Sequence, residues 1–102
     1  MKHLTLIPRD NQVYVDGLCM PVDLSGMDVA IHAVQWSETH QTGEIEFEND
    51  PYAPQDRYKP NQRIASREAY EVYVDAWHAA KAKADAEAEE LAKLQETLNA
   101  AR

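Results

Sequence analysis

The sequence predicts an α+β protein, in which a small antiparallel β-sheet is followed by one long C-terminal α-helix that forms a coiled coil with other copies. Short β-prone segments alternate with turn residues through the first half of the chain. Asp16-Gly17 is a dipeptide that strongly favours a two-residue hairpin. From Ser66 to Arg102 the chain contains neither Gly nor Pro and carries a seven-residue apolar repeat, which together indicate a helix.

These patterns divide the 102 residues into two parts. Residues 1–60 are expected to form the β domain, and its residues 49–60, rich in Pro, to form an extended wrap over the surface. Residues 61–102 are expected to form the helix for oligomerisation or partner binding. The helix is predicted to begin between Asn61 and Ser66, where Ser66 can cap free amides.

Three strands are predicted near the N-terminus. His3–Ile7 is a β-prone run, and Gln12–Val15 resumes the same character after a turn. Leu18–Met20 is predicted to pair antiparallel with Gln12–Val15 across the Asp16-Gly17 turn. Pro21 should mark the end or the edge of that third strand, because proline cannot donate to a ladder.

Val29–Trp36 is the most apolar segment and is predicted to lie at the centre of the sheet. His32 within it is expected to be a core or interface histidine. Strict alternation assigns Val29, Ile31, Ala33 and Gln35 to one face, and Ala30, His32, Val34 and Trp36 to the other.

Glu44–Glu48 alternates between acidic and apolar residues, which predicts a strand at the edge or with one exposed face. Ile45 and Phe47 should point inward. The outward residues form an acidic face, comprising Glu44, Glu46 and Glu48. Such a face can attract cations or a basic partner, but a solvated outer face is the simpler interpretation.

The long helix carries a heptad repeat that predicts an oligomer interface. With Tyr70 at position a, nine of the ten a and d residues are apolar or aromatic, and Glu87 is the exception. The predicted interface residues are Tyr70, Tyr73, Trp77, Ala80, Ala84, Leu91, Leu94 and Leu98.

The helix is too long for the predicted sheet to cover. The first turns, which include Tyr73, Val74 and Trp77, are expected to lie on the sheet, whereas the residues after Ala80 would extend roughly 35 Å further. A dimer or trimer would bury the exposed leucines. Two alternatives stay open, a helix folded back on its own domain and a frayed tail.

Composition limits the partners. The formal net charge is −8 and the pI is about 4.8, which disfavours nucleic acid and anionic membranes as partners. Cys19 is the single cysteine and cannot form an internal disulfide. The sequence shows neither a signal peptide pattern nor a membrane-spanning apolar stretch, so we expect a soluble intracellular protein.

The sequence offers no catalytic or metal-binding constellation, and we predict that the protein is not an enzyme and takes no cofactor, metal or small-molecule substrate. The four histidines, His3, His32, His40 and His78, are not spaced as metal ligands. Cys19 lies in a predicted strand without a basic neighbour, so we expect a packed apolar residue rather than a nucleophile.

Four segments in their order along the chain carry a family resemblance. They are Val22–Asp28, Ile31–Trp36, Gly43–Phe47, and Tyr73–Ala80 followed by an Ala/Glu/Lys-rich helix. In these segments the chain resembles small proteins encoded among the tail genes of tailed bacteriophages and prophages, grouped with tail fibre assembly proteins or tail assembly chaperones.

The resemblance implies an assembly factor of the host cytoplasm that binds a tail fibre or tail protein during virion morphogenesis. Exposed aromatic residues would serve as partner-binding anchors, and the candidates are Trp36, Tyr52 and Tyr58. Two other functions are considered. One is a minor structural tail protein retained in the virion, and the other is a regulatory or inhibitory module that uses its acidic surface.

Overall fold

The computed structural model describes residues 1–52 and 57–101, and confirms the predicted α+β class. Single 3-10 turns lie at Pro8–Asp10 and Glu68–Tyr70. The strands are His3–Ile7 (β1), Gln12–Val15 (β2), Leu18–Pro21 (β3), Ile31–Ser37 (β4), Thr42–Phe47 (β5) and Gln62–Ile64 (β6), and the helix is Glu71–Ala100 (α1).

The six strands form one sheet in the order β3-β2-β1-β4-β5-β6, and every neighbouring pair is antiparallel. The sheet therefore consists of two three-stranded meanders that are joined through β1 and β4. The prediction that the apolar fourth strand lies in the middle of the sheet is confirmed.

The predicted hairpin is confirmed at the β2–β3 turn. Asp16 has φ of 50° and Gly17 has φ of 83°, as a type I′ turn requires. The Asp16 carboxylate accepts hydrogen bonds from the backbone amides of Lys2 at 2.6 Å and His3 at 2.9 Å. This turn therefore also holds the N-terminus of the chain beside the sheet.

The predicted alternation of β4 is wrong at its start, because the strand contains an irregularity. Ile31 pairs with Phe47 and Ala33 with Glu46, so His32 is an extra residue without a partner across the ladder. An extra residue reverses the side-chain parity. Ile31 therefore packs against the core on the same side as Val34, not opposite to it.

Two further predictions about this region are wrong. His32 is exposed, so the expectation that it lies in the core is wrong, while an interface role stays a prediction. Its Nδ1 lies 3.0 Å from the Glu48 carboxylate. Val29 precedes the strand in a turn and is 93% exposed. Both differences follow from the later start and the irregular register of β4.

One face of the sheet carries the core. The helix covers β2 and β3, and the connection between β3 and β4 contributes two buried residues that the sequence pattern did not assign to the core. The buried cluster comprises Leu4, Leu6, Val13, Val15, Val22, Leu24, Val34, Trp36, Ile45, Val74 and Trp77.

The predicted boundary at residues 60/61 is wrong, since the sheet continues beyond it. Gln62–Ile64 pairs with β5 as an edge strand and gives the sheet a sixth strand. The helix therefore begins later in the chain than predicted. The helix begins at Glu71 rather than between Asn61 and Ser66. The predicted capping of the helix by Ser66 is also wrong, because Tyr70 is the N-cap residue of α1 and makes no side-chain capping bond. The Ser66 hydroxyl instead accepts a hydrogen bond from the Glu68 backbone amide at 3.1 Å, just before the helix.

Some predictions concern residues outside those described. The wrap at 49–60 includes residues 53–56, and the predicted helix end is Arg102. In the described part of the chain, none of the helices is both long and apolar enough to cross a lipid bilayer.

Candidate partner-binding surface

The C-terminal part of α1 projects from the rest of the protein. Every residue from Ala82 to Ala101 is exposed, and we call residues 82–101 the arm and the other described residues the body. The longest dimension of the molecule is 69 Å and its radius of gyration is 18.5 Å, compared with about 13 Å for a compact chain of this length. The arm is thus a surface that the body does not cover.

Three leucines lie along one side of the arm. Leu91 is 69% exposed, Leu94 57% and Leu98 62%. A helix folded back on the body would bury them, so that alternative is wrong. Because they occur at helical spacing, the leucines form one apolar stripe rather than scattered contacts.

The first turns of α1 are buried against the sheet instead. Trp77 is 7% exposed, and its indole N–H donates to the Leu18 carbonyl oxygen at 3.0 Å. Val74 is buried, and Tyr70 and Tyr73 pack at the edge of the same cluster. The prediction that these aromatic residues form the oligomer interface is therefore corrected for Trp77, which the sheet of its own chain covers.

The remaining predicted interface residues lie between these two regions. Ala80 is half-buried at the edge of the body, and Ala84 is exposed at the start of the arm. Glu87 is exposed on the arm at a d position. The available stripe therefore begins near Ala84 and contains one charge before the leucines.

Of the three aromatic residues predicted to bind a partner, one is buried and two are exposed. Trp36 is 3% exposed in the core, so its prediction as an exposed anchor is wrong. Tyr52 and Tyr58 are both exposed. They lie between Asn49 and Lys59, which are joined by two hydrogen bonds. The Asn49 side chain donates one to the Lys59 carbonyl oxygen at 2.9 Å and accepts one from the Lys59 backbone amide at 2.8 Å.

A polar cluster that the sequence did not indicate joins the sheet to the start of the helix. The Trp36 indole N–H donates to the Glu38 carboxylate at 2.7 Å. Arg67 lies 3.4 Å from Glu38 and 2.6 Å from Glu71. Hydrogen bonds from Trp36 and then from Gln41 hold the pKa of Glu38 below its ordinary value. The cluster orients the chain as it enters α1.

In the predicted acidic face Glu44 and Glu48 are exposed and Glu46 is half-buried, and each of the three carboxylates has a local partner. Glu46 accepts a hydrogen bond from Gln35 at 2.8 Å, and Glu48 lies beside His32. Glu44 accepts a bond from Asn61 at 3.3 Å. Within residues 1–52 and 57–101, no group of three His, Cys, Asp or Glu side chains is placed to hold a metal ion.

Cys19 lies in β3, where it pairs with Tyr14 across the ladder. Its thiol is half-buried. The neighbouring Cys19 side chain is the main cause that raises the pKa of the Tyr14 phenol. The structure thus places Cys19 on the sheet face opposite to the core.

A cleft of about 460 Å³ lies between the 3-10 turn after β1 and the β3–β4 connection. Its wall is mostly apolar, and Arg9 and Glu48 are its charged residues. Such a surface can contact an apolar group. The lining residues are Pro8, Arg9, Leu24, Ser25, Met27, Val29, Ile31 and Glu48.

Comparison of the chain with protein-family models, with curated proteins and with solved structures finds no match. The resemblance to phage tail assembly proteins therefore stays a prediction. The candidate surface rests on the physical features of the arm.

Proposed function

We propose that this protein is a non-catalytic assembly factor, in which the arm binds a second copy of the chain and the body presents a surface to a client protein. The observation that supports this proposal is the leucine stripe of Leu91, Leu94 and Leu98, which the chain's own body leaves exposed. Following the resemblance, the client is a tail fibre or tail protein of a phage or prophage, bound in the host cytoplasm.

The arm of a single chain would gain stability from association. Every residue of the arm is exposed in the single chain, whereas most helical stability in proteins comes from packing of an apolar face. Burying one leucine contributes on the order of 2 kcal/mol, so two arms that cover each other's stripes gain much of the stability that each arm lacks. Association therefore both orders the arm and removes its apolar surface from water.

The body supplies a separate candidate surface for the client. Tyr52 is 94% exposed and Tyr58 is also exposed, on the segment whose ends Asn49 fastens to Lys59. Aromatic side chains provide large contact area with little loss of rotamer entropy. An exposed pair on a tethered segment is suited to contact another protein.

Self-association is tested by light scattering on the full chain and on the double variant Leu91→Glu/Leu98→Glu. We expect wild type to have the mass of an oligomer and the variant that of a monomer. The matched control is Ala92→Glu/Asn99→Glu, which adds the same two side chains off the stripe and should keep the oligomer. A monomeric wild type would refute the proposal.

Client binding is tested separately, by co-expression with the product of a neighbouring tail fibre gene. We expect the two proteins to co-purify, and Tyr52→Ala/Tyr58→Ala to reduce the recovered client without changing the oligomer mass. If the two proteins do not co-purify, the chaperone assignment fails while self-association stands. Presence in purified virions would favour the structural tail protein instead.

A further inference from the structure

We propose that two arms pair antiparallel, with a twofold axis between Leu91 and Leu94, so that Leu91 of one copy packs against Leu94 of the second copy. The proposal rests on the self-association proposed above and specifies its geometry. A twofold axis across the arms gives a closed dimer. A trimer with threefold symmetry is excluded by this arrangement, since it requires parallel helices.

The position of Glu87 on the stripe favours this orientation. In a parallel, in-register pair each d residue faces the same d residue, so two Glu87 carboxylates would meet across the seam. In an antiparallel pair a residues face d residues. Glu87 then faces Leu98 of the second copy, and its carboxylate can reach solvent at the edge of the seam without meeting another charge.

The charge distribution along the arm points the same way. Four acidic residues lie close together, namely Asp85, Glu87, Glu89 and Glu90. Asp85 is paired with Lys81 at 2.6 Å and Glu89 with Lys93 at 3.4 Å on the same helix, so Glu87 and Glu90 carry most of the repulsion between two arms. A parallel pair would set two such clusters side by side at an interaxial distance of about 8–10 Å. The proposed antiparallel pair sets each cluster beside residues 95–100 of the other copy, which include one charged residue, Glu96.

The antiparallel arrangement separates the two acidic clusters far enough to weaken their repulsion. The two clusters would be offset by roughly 14 Å along the helix axis, at 1.5 Å per residue. This offset exceeds the screening length of about 8 Å at physiological salt.

The body sets the register. In the proposed pairing Ala101 of the second copy lies beside Ala84, about one turn beyond the last half-buried residues, Ala80 and Lys81. A shift of one heptad toward the body would bring Ala101 of the second copy to Trp77, whose surface is already occupied by the sheet. A shift the other way would remove Leu91 from contact with the opposing leucines. The proposed overlap uses the exposed stripe and stops at the body.

Disulfide formation tests the orientation. In a Cys19→Ser background, we prepare Leu98→Cys and Glu87→Cys as separate variants, unfold and refold them together, and oxidise them. The antiparallel pair predicts a disulfide between the two variants in the mixture. Leu98→Cys alone should stay free of cross-links, because the two Leu98 positions lie at opposite ends of the seam.

A second cysteine pair keeps the leucine stripe intact. Ala88 and Gln95 flank the seam and are neighbours across an antiparallel pair in this register. Mixed Ala88→Cys and Gln95→Cys variants should therefore also form a heterodisulfide, identified by mass spectrometry of the cross-linked peptides. Because these two variants keep all three leucines, they test the orientation even if Leu98→Cys prevents dimerisation.

The outcomes separate this inference from the proposed function. A disulfide between two copies of Leu98→Cys would show parallel arms and overturn the orientation while leaving self-association intact. A dimer mass with neither heterodisulfide would overturn the register. A monomeric mass for the Cys19→Ser protein under reducing conditions would overturn both proposals.

Discussion

Replacement of Trp77 should destabilise the protein much more than replacement of a leucine on the arm. Trp77 is 7% exposed and donates a hydrogen bond of 3.0 Å to the Leu18 carbonyl. Trp→Ala at a packed site costs about 3–5 kcal/mol, a large part of the 5–15 kcal/mol that stabilises a typical domain. Trp77→Ala is therefore expected to be largely unfolded or to melt tens of degrees lower.

Trp77→Phe is the variant that permits measurement. It keeps an aromatic ring but loses the hydrogen bond, worth about 1 kcal/mol, and part of the packing. We expect a loss of about 1–3 kcal/mol, which lowers Tm by several degrees in a chain of this size. The helix is monitored by far-ultraviolet circular dichroism during urea unfolding.

The comparison requires a monomer, because dimerisation would make the apparent stability depend on concentration. All variants are therefore placed in the Leu91→Glu/Leu98→Glu background. The matched control is Leu94→Ala, which truncates a side chain that the body does not touch and should change the free energy of unfolding by less than about 0.5 kcal/mol. If Trp77→Phe and Leu94→Ala cost the same, the helix is not docked as described.

Two other predictions follow from the body. Gly43→Ala should destabilise the fold by about 1–3 kcal/mol or more, the cost of overpacking, because a Cβ there would clash with the carbonyl oxygen of Gln35. Gly26→Ala should cost less, because its Cβ meets only the Tyr73 hydroxyl at 3.4 Å. Thermal melts of the two variants test this difference. Stability should also fall in acid. Hydrogen bonds from the His3 and Lys2 amides lower the pKa of Asp16, and those from Trp36 and Gln41 lower that of Glu38. Their contribution is present above the unfolded carboxyl pKa of about 4 and is lost as the pH falls through the lower folded values. Asp16→Asn should flatten this dependence in unfolding curves between pH 7 and 3, and an unchanged curve would contradict it.

Local sequence signals predicted most of the first three strands. The hairpin at Asp16-Gly17 is specified by two adjacent residues that tolerate positive φ, so its prediction needed no knowledge of the rest of the fold. The exposure of Glu44 and the burial of Ile45 followed from alternation along one strand.

The errors arose where position depended on distant residues. The irregularity at His32 is set by the pairing of β4 with β5. The three-residue strand Gln62–Ile64 forms because it pairs with the other edge of β5. Neither is visible in a local pattern. The sequence around Trp36 does not distinguish an exposed tryptophan from a buried one, and only the packed sheet shows that Trp36 lies in the core.

The sequence by itself determined that the C-terminal third is a helix with an apolar stripe, since period and propensity are properties of that stretch alone. Only the tertiary structure decided where the stripe divides. Trp77 lies over Leu18 and is buried by the body, whereas Leu91 and Leu98 lie beyond its edge. The division depends on how far a six-stranded sheet reaches under a helix, which is fixed by packing rather than by the helix's own residues.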